Sequence, residues 1–201
     1  MSARVVVFID YQNVYRIGRA LFHPISSPPQ AGQIDPVRLS RIIVFKGAFD
    51  RELIQVRIYR GRPVSSKDPK GYGANVRQCR AWEGNPLAKV ITRTLRYPPN
   101  WPLQREEEKG IDVALAIDFV MMAVKRQYDV GILVSTDTDL KPALEAVCDL
   151  RGRPFPRCEV AAYSSPLSYS RRLSVKGRGV WCHWISEMDY RAAADPTNYV
   201  Q

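Results

Sequence analysis

Histidine and cysteine are scarce in this 201-residue chain, which has two of the former (His23, His183) and four of the latter (Cys79, Cys148, Cys158, Cys182). The cysteines form no CxxC pair and the histidines stand at no zinc-ligand spacing, so a zinc site is excluded and Cys182-His183 reads as packing. No apolar run approaches the ~20 residues of a membrane span. No signal-peptide pattern precedes the first apolar run, and no lipidation motif or basic amphipathic helix stands out. The expectation is a reduced, cytoplasmic protein with no membrane partner. Gly61–Gly73 is glycine- and lysine-bearing but lacks P-loop spacing, which excludes a nucleotide cradle of that type. Negative charge is the other shortage. Asp and Glu number 20 against 30 Lys and Arg, a net charge of +10 and a pI of about 9.7. That imbalance favours a polyanionic partner, nucleic acid before membrane.

What is present fits one domain over residues 1–201, with 45% hydrophobic residues to fill a core. Short β-branched or apolar runs alternate with helical patterns, which predicts an α/β fold on a mostly parallel sheet. Arg4–Ile9, Leu53–Tyr59, Lys89–Leu95, the run from Ile132 and Glu159–Tyr163 read as strands, and Val180–Ile185 as a last short strand or a buried plug. Helices are expected over Gln12–Phe22, from Asp35-Pro36 to Lys46, over Asn75–Glu83, over Ile111–Val124 and over Leu140–Leu150 with a stop at Gly152. Gly61–Gly73 reads as a flexible basic loop, Pro166–Gly179 as a basic segment with no opposing acid, and Asp189 onward as a tail. Ile111–Val124 is apolar nearly all round, which predicts burial on every side.

Acidic residues fall at the ends of these elements. Ile132–Leu140 (ILVSTDTDL) carries an apolar run into Asp137 and Asp139, at the strand end where open α/β sheets place their chemistry. Asp10 ends the first strand, with Asn13 three residues on, and Asp112 lies in the first turn of the apolar helix. Asp118 is six residues further, about 120° round that helix, so it reads as a helper or an internal salt-bridge partner. Asp10, Asp112, Asp137 and Asp139 together repel unless a divalent cation lies among them. An all-oxygen ligand set suits Mg2+ or Mn2+. Such a cluster orients water and stabilises charge on a phosphodiester oxygen. Lys67, Lys70, Arg96, Arg171, Arg172 and Lys176, with Trp101 as a stacking ring beside Tyr97, are the candidate nucleic-acid contacts. The aromatic loop reads equally as one pinned to the core by its own rings.

Three motifs, FIDYQN (Phe8–Asn13), KGIDVALAID (Lys109–Asp118) and STDTDLKPAL (Ser135–Leu144), resemble in order and separation those of the NYN family of PIN-like nuclease domains, the LabA group among them. The resemblance spans about residues 4–163 and leaves 164–201 as a C-terminal extension outside the motifs. It implies a PIN-like three-layer α/β/α sandwich and a magnesium-dependent ribonuclease, with Asp10, Asn13, Asp112 and Asp137 as the acidic-polar centre and Asp139 beside it. Thr136 departs from the family pattern, where glycine often stands. The partner this implies is single-stranded or structured RNA, and a homodimer is among the open assembly states. A non-catalytic RNA-binding or regulatory protein on the same fold is the alternative. A haloacid-dehalogenase-type phosphatase needs Asp-x-Asp after its first strand, and Gln12 stands in the second place here. A Toprim-like module lacks its glutamate-bearing strand.

Overall fold

A computed structural model of the chain describes residues 2–150, 156–166 and 171–201. Among them six strands form one all-parallel sheet: β1 Ala3–Asp10, β2 Arg51–Arg62, β3 Ala88–Thr94, β4 Val130–Val134, β5 Arg157–Tyr163 and β6 Trp181–Ile185. The sheet order is β3-β2-β1-β4-β5-β6. The chain therefore winds outward one way from β1, then returns to β1's other side and winds the opposite way. The reversal falls between β1 and β4, and a crevice opens there beyond the carboxyl ends of the strands.

Both faces of the sheet are covered. Val5, Val7 and Ile9 of β1 join one core with α1 (Tyr11–Phe22), α2 (Pro36–Phe45), α3 (Pro69–Glu83) and α6 (Glu187–Ala192). Val6 and Phe8 join the other with α4 (Ile111–Val124) and α5 (Lys141–Asp149). Strand alternation thus divides β1 between two apolar layers, and the architecture is the expected three-layer α/β/α sandwich. The central strands β1 and β4 are buried and rich in β-branched residues, as parallel strands covered on both faces must be, while the edge strand β3 is not buried.

Several local expectations are corrected. Gly61–Gly73 is not a loop throughout. The second strand runs on to Arg62, and α3 begins at Pro69, where Asp68 caps it by accepting from Gly71 N. Asp189 onward is not a tail. A Ser186–Asp189 capping box starts α6, Tyr190 is fully buried in the core, and Asp189 pairs with Lys46 at 2.6 Å. The basic segment does meet an acid, since Arg178 pairs with Asp149 at 2.6 Å. The expected stop at Gly152 and residues 167–170 of that segment lie outside the described residues. Nor is α4 buried on every side. Among the described residues the sheet, α5 and the turn Thr138–Leu140 pack on it, and Val113, Ile117, Met121 and Val124 form an exposed stripe at helical spacing. No helix among the described residues is long and apolar enough to cross a membrane.

Candidate metal centre

Three separate segments supply carboxylates to the crevice at the reversal. Asp10 ends β1 and caps α1, accepting from Asn13 N through Oδ1 (3.1 Å). Its Oδ2 accepts from Ser135 Oγ at 2.9 Å. That serine, just past β4, accepts in turn from Asp137 N at 3.0 Å. A line of hydrogen bonds therefore ties Asp137 through Ser135 to Asp10. Asn13 Oδ1 accepts from Thr136 N at 3.1 Å, which fastens the turn after β4 to the first turn of α1. Asn13 sits in the centre as predicted, with its oxygen committed to holding that turn. Thr136 occupies the turn without a left-handed backbone; Gly110 does adopt one (φ 77°), immediately before α4. It delivers Asp112 in that helix's first turn, where the helix dipole favours a negative charge.

One carboxylate oxygen from each of Asp10, Asp112 and Asp137 lies within 4.8 Å of the others. Asp139 stands next to this group, exposed, its N–H donating to Asp137 Oδ1 at 3.0 Å. Asp118 faces elsewhere: it accepts from Arg57 Nη2 at 2.5 Å and Tyr59 Oη at 2.8 Å. That is the internal ion pair, and the helix geometry had already separated it from Asp112.

Electrostatics follow from this crowding. Burial, reinforced by the charges of Asp112 and Glu108, raises Asp10 to about 7 against the hydrogen bonds from Asn13 and Ser135. Asp112 is raised by burial and by the charges of Asp137 and Asp139. No salt bridge from the described residues reaches Asp10, Asp112 or Asp137. Clustered carboxylates that form no ion pair with a side chain fit a hard divalent cation, which would counter the upward push on Asp10 and Asp112. The donor set is all oxygen, which matches magnesium or manganese rather than zinc.

Glu108 is the residue that sequence reasoning missed. It lines the same cleft of about 450 Å³ as Asp10, Asn13, Asp112 and Asp137, and its Oε1 accepts from Gly61 N. Burial raises its carboxyl, Asp112 adds to that, and Arg16 and Arg60 oppose it. In sequence the Glu106–Glu108 triplet looks like a solvated helix approach. The antiparallel bridge between Arg96 and Glu107 (2.9 Å both ways) folds it over the site.

The nucleic-acid candidates divide. Arg96 is brought beside the cleft by that bridge. Lys67 lies over the Trp101 ring at 5.8 Å, and Tyr97 meets the same ring edge-on at 5.4 Å while accepting from Val64 N. Trp101 is half-buried in this contact. Lys70 is exposed on the first turn of α3, and Arg171 and Lys176 are exposed in the segment before β6. Arg172 donates to Val180 O at 3.1 Å. None of these seven candidates lines the carboxylate cleft.

The sequence matches the family model described as NYN domain over residues 4–153. Among solved structures, a protein of unknown function from Vibrio parahaemolyticus RIMD 2210633 is similar, with a TM-score of 0.49 and 19% identity over 83% of each chain. The search of curated proteins gives no match.

Proposed function

The chain belongs to the NYN domain family, and from that premise we propose that it is a metal-dependent ribonuclease. The observation that carries this is the convergence of Asp10, Asp112 and Asp137, from β1, α4 and the turn after β4, within 4.8 Å. These three would hold Mg2+ or Mn2+, with Asp139 at the rim as a further oxygen donor. When bound, the cation lowers the pKa of water and neutralises charge on the phosphodiester.

The chain's own residues do the rest. Ser135 and Asn13 position the carboxylates, the first by bridging Asp10 to Asp137, the second by fixing the turn that carries Asp137. Glu108 closes the cleft on the side of β2. Arg96, Lys67 and Trp101, with Lys70, Arg171, Arg172 and Lys176 further out, offer cations and one ring to the RNA backbone and bases.

The test is cleavage of labelled single-stranded RNA with Mg2+, with Mn2+ and with chelator, beside the variant Asp10→Asn. Metal-dependent cleavage lost in the variant, with RNA binding kept, is the expected result. RNA binding without cleavage under every metal condition assigns the non-catalytic alternative.

A further inference from the structure

A second cleft, of about 520 Å³, adjoins the carboxylate cleft and shares Gln12, Arg16, Glu106 and Glu108 with it. Its position follows from strand register. Asp10 pairs with Tyr59 across β1 and β2, so Arg60 is the next residue towards the carboxyl end of the sheet. Alternation turns Tyr59 to the α4 face and Arg60 to the opposite face, beside α1 and α3. There the Arg60 guanidinium lies 5.1 Å from the Tyr11 ring centroid and 5.2 Å from that of Trp82. Both rings are buried, and Nη1 is held by Gln78 Oε1 at 2.5 Å. A guanidinium fixed in this way loses little entropy when it binds.

Among the described residues no carboxylate pairs directly with this cation, and Glu108, on the same cleft, acts on it only through its charge. The buried Nε of Arg60 has no hydrogen-bond partner. Arg16 likewise has no acid partner and is held by Gln12, whose amide oxygen, in the orientation that satisfies both groups, accepts from Arg16 Nη2 and Nε at 3.0 and 2.9 Å. Across the same cleft the buried Oε1 of Gln33 lacks a donor. Such buried atoms lose the free energy of an unmade hydrogen bond. The cleft sets on one lining the Arg60 guanidinium, which suits an anionic acceptor, and the Gln33 amide, which suits a neutral hydrogen-bonding group. A ribonucleotide carries both: phosphate oxygens, and hydroxyl or base N–H donors. A cavity of this size suits one such unit.

We propose that this cleft is a nucleotide-binding subsite, seating the phosphate of one ribonucleotide unit against Arg60 and Arg16 immediately beside the carboxylates. The assignment rests on the ribonuclease reading for the identity of the polymer, and on the cleft alone for the ligand's chemistry. The C-terminal residues Asn198–Val200 form part of its wall, anchored by Arg77 Nε donating to Tyr199 O at 2.8 Å.

The test is metal-free binding of adenosine 5′-monophosphate, followed by NMR titration in chelator, against adenosine and inorganic phosphate as separate arms. The nucleotide should bind more tightly than either arm. Arg60→Met, which keeps a flexible chain against the two rings, should weaken it at least tenfold. Ala74→Phe, which fills the cleft from α3, should do the same, and melting temperatures report whether either variant is folded. Asp112→Asn should leave binding unchanged. Nucleotide binding that is absent, unaffected by both cleft variants while they are folded, or matched by inorganic phosphate overturns the subsite. Binding abolished by Asp112→Asn also overturns it, by moving the ligand to the carboxylates, while leaving the nuclease intact. Nucleotide bound through Arg60 by a protein that cleaves no RNA overturns the nuclease and leaves the subsite standing.

Discussion

Two aspartates six residues apart on α4 should respond to neutralisation with opposite signs. Asp118 accepts from Arg57 at 2.5 Å and Tyr59 at 2.8 Å, with Arg57 only 9% exposed and Asp118 34% exposed. Burial pushes its carboxyl up, but the hydrogen bonds from Arg57 and Tyr59 outweigh this and hold it below the usual range. Hydrogen bonds to charged groups contribute about 1.5–3 kcal/mol. With a third of the carboxylate in solvent, the lower end applies to Asp118→Asn. At about 2–4 °C per kcal/mol for a domain of this length, Tm should fall by roughly 3–6 °C. Because the folded-state pKa is depressed, the gap from wild type should be full above the unfolded value of about 3.9 and close as pH falls through the folded one.

Asp112→Asn removes a charge that lies among like charges. Two carboxylate oxygens within 4.8 Å of each other repel by about 3.5 kcal/mol at an effective dielectric of ~20, a figure that solvent reduces for groups as open as Asp112 and Asp137. Without metal, Tm should therefore stay level or rise, while magnesium-dependent cleavage falls at least 100-fold, as expected when a ligand to a catalytic ion is lost. Parallel melts and single-turnover assays in chelator and in magnesium decide the matter. A metal-free Asp112→Asn protein that melts several degrees lower, or an Asp118→Asn protein that loses cleavage at unchanged Tm, would refute the division of roles.

Two further outcomes are expected. Affinity for single-stranded RNA should fall with log salt at a slope of about −0.7 per phosphate neutralised; a flat salt dependence in filter binding would remove the basic segments from the interface. Glu159 sits between Arg51 at 3.0 Å and His183 at 2.6 Å, with all three side chains at most 7% exposed; burial raises its carboxyl, but hydrogen bonds from His183 and Arg51 outweigh that and lower it. Glu159→Gln strands Arg51 and should cost about 3–5 kcal/mol in urea titrations at neutral pH, an effect that vanishes as pH falls through the depressed folded-state value.

How far the sequence discloses this protein depends on whether a feature is local. The central strands were legible because a parallel strand covered on both faces is a short apolar run whatever its neighbours are; Leu53–Tyr59 was read from its alternation, and Val180–Ile185 stayed open between a strand and a plug. Asp10, Asp112 and Asp137 were legible because each stands at the end of such a run or in a helix's first turn. Helix phase alone separated Asp112 from Asp118. The missed starts had local signals too: Asp68-Pro69 repeats the Asp35-Pro36 cap inside a stretch whose glycines and lysines read as a loop, and Ser186–Asp189 carries the spacing of a capping box. The buried stretch of α4 was overstated because apolar composition does not say how many neighbours a helix will have.

The remaining features are products of topology, and no window of sequence contains them. Glu108 becomes part of the cleft because the Arg96–Glu107 bridge folds it over the site and β2 reaches past Gly61, 47 residues earlier, which offers it a backbone N–H. Arg60 reads as one cation in an alternating strand until register places it one residue past Asp10's partner and pleat turns it away from Tyr59's face. The order β3-β2-β1-β4-β5-β6 is what makes β1 and β4 neighbours, and with them Asp10 and Asp137, which lie 127 positions apart in the chain. Once that pairing exists, Ser135 is the one residue placed to bridge them, and the acids on either side share a single electrostatic fate. The sheet's reversal therefore does more than open a crevice. It joins three acids that are each an ordinary cap or end residue in isolation into a centre that fits a divalent cation.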